Sequence, residues 1–362
     1  MLPSEWQKIQ RILAIRLDNV GDVVMLGPAL RSLRHHLPNA TIALMASPVG
    51  AQVAPLLPWI DETLTHRALW QDASGSLRFN PIREAGLIEA ISKRRFDAAL
   101  IFTSFSQSPY PPGYACYLAG IPKRIGQSKE FGGSVLSQSV KPLPDEAHQV
   151  DRNLFLLESA GLTALGRHLE LQVPEEIQMQ GDRLLRGVGI ATNEPFIVLA
   201  PGASCVARRY DPLRYATVAE MLVAATGLPL VVVGSDREME WVEPILDRVD
   251  GYSIVSLVGR TSIPELAAII RRASLVIAND SGPMHIADAF QRPMVILFSG
   301  TECESQWQPR TAPAKLLRRP TDCSPCYQFR CSYQMECLDI PAKEVVSEAL
   351  ELLKLSQLPL VS

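Results

Sequence analysis

Eight short apolar runs, bounded by turn residues and separated for the most part by helical patterns, restrict this chain more than any other feature. RILAIRL (11–17), TIALMA (41–46) and DAALIF (97–102) occupy the first half. FIVLA (196–200), PLVVVG (229–234), YSIVSLVG (252–259), SLVIAND (274–280) and PMVILFSG (293–300) occupy the second. None alternates polar with apolar positions, as a strand with one wet face would. Strands apolar on both faces and connected through helices form parallel sheets covered on both sides. The first connection illustrates the unit: Val23, Leu26, Leu30, Leu33 and Leu37 recur at helical spacing between two of the runs, and Pro38-Asn39 ends the pattern.

The runs fall into two series, and 362 residues exceed the usual size of one core, so two α/β domains are expected. The seam is expected in the polar stretch VPEEIQMQGDRLLRGVGIATNEP, near Thr192, giving domains 1–191 and 192–362, the latter ending in an amphipathic helix at EVVSEALELLKL. A net charge of −3 argues against a non-specific nucleic-acid binder. The N-terminus lacks a basic segment followed by an apolar one, and no apolar stretch approaches the ~20 residues that span a bilayer. A cytoplasmic protein, with peripheral contact to the inner membrane allowed, is the expectation.

In open parallel sheets, ligands bind beyond the carboxyl ends of the strands, where loops enter helices. Four stretches meet that condition. In DNVGDVV, Gly21 permits a tight turn and leaves Asp22 at a helix start, either as a cap or as an acid presented to a ligand. In APGASCVARRY, small residues allow close backbone approach, Ser204 offers a hydroxyl and Arg208 and Arg209 offer charge, which suits a phosphate or an ordinary solvated loop. In NDSGPMHIADAF, Ser281 or Gly282 caps a helix with Pro283 at its first position and His285 in its first turn, while Asp280 stands where it would meet sugar hydroxyls. In VVVGSDREME, Asp236 and its acidic neighbours follow a strand and a glycine, as ribose-binding acids or as helix-start acids do. The sequence contains no D-x-D tripeptide, no G-x-x-x-x-G-K-[ST] and no G-x-G-x-x-G.

In this order, RLDNVGDVVMLGPAL, PGAS…RRY and NDSGPMHIADAFQRPMVILFSGT resemble the motifs of glycosyltransferase family nine, the bacterial heptosyltransferases of the lipopolysaccharide inner core. The resemblance implies a GT-B fold: two Rossmann-like domains facing across a cleft, the first mainly for the acceptor and the second mainly for the nucleotide-sugar. It implies inverting transfer from ADP-heptose without a catalytic cofactor. Asp22 matches the family's proposed base, Arg208 the diphosphate contact, Ser281, Gly282 and His285 the phosphate-binding helix start, and Asp280 the residue that holds donor hydroxyls. Some relatives carry an aromatic residue where this chain has Cys205-Val206. Two rivals accompany this reading: the same fold with a protein or other surface glycan as acceptor, as in autotransporter heptosyltransferases, and a catalytically silent nucleotide-sugar-binding assembly protein.

Seven cysteines without an export signal read as thiols or metal ligands. Cys323, Cys326, Cys331 and Cys337 are spaced C-x2-C-x4-C-x5-C, a pattern expected to enclose one structural zinc or, alternatively, iron. Free thiols or local disulfides are the other reading.

Overall fold

A computed structural model describes residues 3–72, 75–248 and 253–356. The chain divides into two compact units, Met1–Gln172 and Val173–Ser362. In the first, β1 (Arg11–Arg16), β2 (Thr41–Ala46), β3 (Glu62–Thr65), β4 (Ala98–Ile101), β5 (Lys123–Gln127) and β6 (Gln138–Val140) form one sheet. Its order is β3-β2-β1-β4-β5-β6, with all neighbours parallel. In the second, β7 (Ile197–Ala200), β8 (Leu230–Val232), β9 (Ile254–Ser256), β10 (Leu275–Asn279), β11 (Met294–Leu297) and β12 (Ala314–Leu317) take the order β12-β11-β10-β7-β8-β9, again all parallel.

Counted within its own unit, each sheet therefore runs 3-2-1-4-5-6, the doubly wound Rossmann order. The chain winds outward one way from the first strand and then returns to its other side. A crevice opens where the winding reverses, beyond the ends of β1 and β4 in one unit and of β7 and β10 in the other. Ile12, Leu13, Ala14 and Ile15 are at most 1% exposed, and the same apolar saturation holds along β7 and β10.

The apolar runs locate eight of these strands, and the others lie where the signal is weakest. β3 (ETLT) and β6 (QSV) are edge strands with exposed residues, and β12 is an edge strand only half buried throughout. β5 (KRIGQ) is interior yet contains Arg124, whose guanidinium donates to the carbonyls of Ile121, Pro122 and Val135 at 2.5, 2.9 and 2.7 Å. Backbone oxygens thus satisfy a charge that in sequence reads as a strand breaker.

The division between the units falls at Gln172/Val173 rather than near Thr192. The reason is packing: the helix Glu175–Gly187 lies against the helix Ile263–Arg272 of the second unit, and Arg272 Nη1 reaches Asp182 Oδ1 at 2.7 Å. A side chain at Gly181 would place its Cβ 2.8 Å from Ala268 Cβ. Gly181→Leu is therefore expected to overpack this contact, at about 1–3 kcal/mol. Calorimetry should show the second unit melting roughly 2–12 °C lower, whereas Gly187→Ala, with nothing within 4 Å of the added atom, should not lower it.

The second core is completed from the C-terminal side. The helix Ala342–Ser356 buries Val345, Val346, Ala349, Leu352 and Leu353 in the cluster that contains Leu199, Tyr215, Leu230 and Ile277. No helix among the described residues is long and apolar enough to cross a membrane.

Candidate active site

At the carboxyl end of β1 the last residue is Arg16, whose side chain is wholly buried. A buried guanidinium is costly unless paired and hydrogen-bonded. Here Nε meets Asp18 Oδ2 at 2.9 Å and Nη2 meets Asp22 Oδ1 at 2.6 Å. Nη2 also donates to Ser104 Oγ at 2.8 Å, so the contact bridges β1 to the segment that follows β4. Gln107 closes the ring: its Nε2 donates to Asp18 Oδ1 at 2.6 Å and its Oε1 accepts from the Ser104 N–H at 2.9 Å.

Asp22 occupies the first turn of the short helix Val20–Val24 and accepts the Asn19 N–H on Oδ2 at 3.1 Å. It is a cap, as one reading of the sequence had it. The cap leaves its side chain 14% exposed while its other oxygen holds Arg16. Burial pulls the Arg16 pKa down, but Asp18 and Asp22 together outweigh it, and the guanidinium stays charged. Burial pushes the Asp18 carboxyl above the usual carboxylate range, Arg16 and Gln107 pull the other way, and the like charge of Asp22 adds to the rise.

The second unit builds its site on Asn279, the buried last residue of β10. Its Nδ2 donates to the carbonyls of Pro201 and Gly202 at 2.7 and 3.3 Å, and its Oδ1 accepts from Tyr210 N and Tyr215 Oη at 3.1 and 2.9 Å. One amide thereby fixes the loop that follows β7 to the point where the sheet reverses. Arg209 braces the same loop through a 2.9 Å hydrogen bond from Nε to the Ala203 carbonyl, with its guanidinium 5.7 Å from the Trp241 ring centre.

Arg208 is then held partly exposed. Its Nη2 lies 2.6 Å from Glu302 Oε1, its Nε donates to Thr301 Oγ1 at 3.1 Å, and its Nη1 is 4.0 Å from Asp280 Oδ2. Arg208 and Asp280, expected to share a site, do meet. Asp280 is buried, Ser281 is the N-cap of the helix Gly282–Ala289, and His285 is buried in that helix's first turns. The start of such a helix carries partial positive charge. Ser204 lies exposed in the loop after β7.

Asp236 lies in the segment that follows β8. It is exposed and turns over Gly259, where a Cβ would lie 1.8 Å from its Oδ1. The acid against the loop after β7 is Glu238, whose Oε1 would lie 1.9 Å from a Cβ at Gly202 and whose Oε2 accepts the Ser235 N–H at 2.7 Å.

The expected metal site is not supported. Among the described residues no group of three or more His, Cys, Asp or Glu is arranged to hold a metal ion, and Cys323, Cys326, Cys331 and Cys337 are all free. They line one cavity of about 40 Å³ with Ala207, Gly300 and Thr301, but their local contacts differ. Cys323 is exposed beside Thr321 Oγ1, Cys331 Sγ accepts the Tyr333 N–H at 3.3 Å, and Cys337 is part-buried. The segment instead straps the loops that follow β7 and β11. Cys326 N and Tyr327 N donate to the carbonyls of Gly300 and Thr301 at 3.0 and 2.8 Å. Cys205 Sγ and Ala207 N both donate to the Phe329 carbonyl, at 3.0 and 3.1 Å. Cys205, a departure from the aromatic residue of some relatives, is thus a buried anchor.

Sequence reasoning did not single out Arg16, Asp18, Ser104 and Gln107 in one unit, nor Asn279, Thr301 and Glu302 in the other. A signal for the first existed: an arginine follows the apolar run Ile12–Ile15, two residues before Asp18 and six before Asp22.

Comparison with known proteins places these motifs. The profile of glycosyltransferase family 9 (heptosyltransferase) matches residues 86–336. Lipopolysaccharide heptosyltransferase 2 of Escherichia coli is 26% identical over 350 residues, covering 93% of this chain and 97% of that protein. The structure of E. coli ADP-heptose lipopolysaccharide heptosyltransferase II superposes with a TM-score of 0.76 at 23% identity, covering 96% of this chain and 100% of that one. A glycosyl transferase family 9 structure from Veillonella parvula gives 0.77 at 22% identity, over 95% and 97%. The fold is thus of the GT-B class, with which the two sheet orders agree.

Proposed function

The chain belongs to glycosyltransferase family 9, and from that premise we propose that it transfers heptose from ADP-heptose to a lipopolysaccharide inner-core acceptor. The observation that carries this reading is the Asp22 carboxylate. It is partly exposed at the carboxyl end of β1 and fixed by Arg16 and by the Asn19 N–H. Relatives named for heptose transfer to lipopolysaccharide or lipooligosaccharide, in E. coli and Campylobacter jejuni, support the substrate class.

In the proposed reaction Asp22 takes the proton of an acceptor hydroxyl. The oxygen's electron pair forms the new bond to the anomeric carbon as the bond to the diphosphate breaks, and that pair leaves on ADP. Attack opposite the leaving group inverts the anomeric configuration. Arg208 and the start of the helix Gly282–Ala289 stabilise the departing diphosphate, a task that positive side chains and helix N-termini perform without a divalent ion. Asp280 receives donor hydroxyls, and Asp236 and Glu238, which lies beside Gly202, are the acids offered to the nucleotide. Ser204 and His285 complete the anion contacts. The first unit takes the acceptor and the second the donor, in the cytoplasm and in contact with the membrane face where a lipid-borne acceptor resides.

Incubation with ADP-heptose and a delipidated inner-core oligosaccharide is expected to yield ADP and an acceptor heavier by one heptosyl residue, with opposite anomeric configuration by NMR. Excess EDTA should leave the rate unchanged. Release of ADP without any glycosylated product would refute the acceptor assignment, and loss of activity in EDTA would refute metal independence.

A further inference from the structure

We propose that Asn279 is a positioning residue for the donor: it acts on the diphosphate through the two structures that would contact it, the loop after β7 and the start of the helix Gly282–Ala289. The inference rests on the reading of the second unit as the donor side. An asparagine side chain offers two N–H donors and one oxygen with two lone pairs. Here all four are used, and the residue is wholly buried. Nδ2 donates to the carbonyls of Pro201 and Gly202, and Oδ1 accepts from Tyr210 N and Tyr215 Oη.

The partners decide what this arrangement does. Pro201 and Gly202 open the loop after β7 and Tyr210 closes it, so one side chain grips both ends of the segment that carries Ser204 and Arg208. The main-chain carbonyl of Asn279 accepts from Ser281 Oγ at 3.3 Å, and Ser281 is the N-cap of the helix Gly282–Ala289. The same residue therefore sets where Arg208 stands relative to that helix start. Few side chains could replace it: Ser or Thr supplies one donor, and an ionised Asp supplies none. The two tyrosines stiffen the grip. Their buried rings meet edge to face with centres 4.9 Å apart, and Tyr210 Oη donates to the Ile340 carbonyl at 2.5 Å. A loop seated before the ligand arrives spares binding the cost of ordering it. Releasing the loop lowers the fraction of molecules ready to bind, and apparent affinity falls by that fraction.

Asn279→Asp is the test. It keeps the shape and the two accepted hydrogen bonds but puts an oxygen where Nδ2 stood. Even when protonated the new carboxyl donates only once, so at least one of the two carbonyls is released. With the loop seated in about a tenth of the molecules, ADP is expected to bind roughly 10-fold more weakly by isothermal titration, and the KM for ADP-heptose to rise in proportion. Saturating donor reseats the loop, so kcat should stay within about 3-fold of wild type. Backbone hydrogen exchange across the loop should rise in the free variant and return toward the wild-type rate when ADP is bound. An Asn279 that only supports the fold gives another result, a lower melting temperature with ADP affinity and donor KM unchanged, and that result overturns the proposal. Should Asn279→Asp fail to fold, Tyr215→Phe removes one of the four hydrogen bonds and keeps the ring. ADP affinity is then expected to fall about 2- to 10-fold, and wild-type affinity in that variant overturns the proposal. Arg208→Ala with undiminished ADP affinity would take the diphosphate away from this loop, and the donor-site reading with it. Weak ADP binding by Arg208→Ala beside normal binding by Asn279→Asp sinks only the role of Asn279.

Discussion

Replacing Asp22 by Asn is expected to slow heptosyl transfer by roughly 100- to 10,000-fold, the usual contribution of a general base, while ADP binds as in wild type. The geometry makes the substitution informative. Asp22 accepts on both oxygens, from Arg16 Nη2 and from the Asn19 N–H. An asparagine has one accepting oxygen and a donating NH₂, so one of the two contacts is lost and the helix start loosens by about 0.5–2 kcal/mol. If Asp22 were only a cap, the variant would melt earlier and still turn over. If it is the base, turnover collapses by far more than the small loss of stability accounts for. Steady-state rates beside a thermal melt separate the two.

Arg208→Ala should weaken ADP binding by roughly 10- to 150-fold, as loss of charge-assisted hydrogen bonds worth ~1.5–3 kcal/mol implies. The upper part of that range is expected, because the guanidinium also holds Glu302 at 2.6 Å and stands 4.0 Å from Asp280. Its removal would set those two carboxylates against the diphosphate in the proposed site. Arg208→Lys should fall between, since an ammonium keeps the charge but lacks the planar fork. Isothermal titration with ADP checks this, and equal affinities for all three proteins would show that the diphosphate lies elsewhere.

What was legible in the sequence was local. A saturated apolar run announces a buried parallel strand because both of its faces must be covered, so β1, β2, β4 and most of the second sheet could be read directly. Asp22, Asp280 and the helix after it were legible because a strand end, a glycine and a helix start fall within a few residues. Partners distant in sequence were not. Ser104 lies 88 residues from Arg16 and Gln107 lies 89 from Asp18; nothing near either residue announces the pairing. Arg124 concealed β5 because its charge is satisfied by carbonyls that only the fold brings close. The seam near Thr192 was misplaced for the same reason, since the face of the helix Glu175–Gly187 finds its partner on a helix some ninety residues later. The cysteine spacing was a local signal that the fold put to another use, bridging Gly300, Thr301 and Ala207 through backbone hydrogen bonds.

The helix Ala342–Ser356, which closes the second core, also sets an order of events during synthesis. The first unit ends at Gln172, so it has its full complement of partners before the second unit emerges. The second unit has no such interval. The cluster around Leu199, Leu230 and Ile277 waits for Val345, Ala349 and Leu352, which lie far downstream of it in sequence. Until then that part of its sheet is apolar and uncovered, the condition in which nascent chains associate wrongly or are captured by chaperones. The unit that would hold the nucleotide-sugar therefore matures only once Leu352 has emerged, and conditions that stall elongation before that point or saturate chaperones strike that unit first.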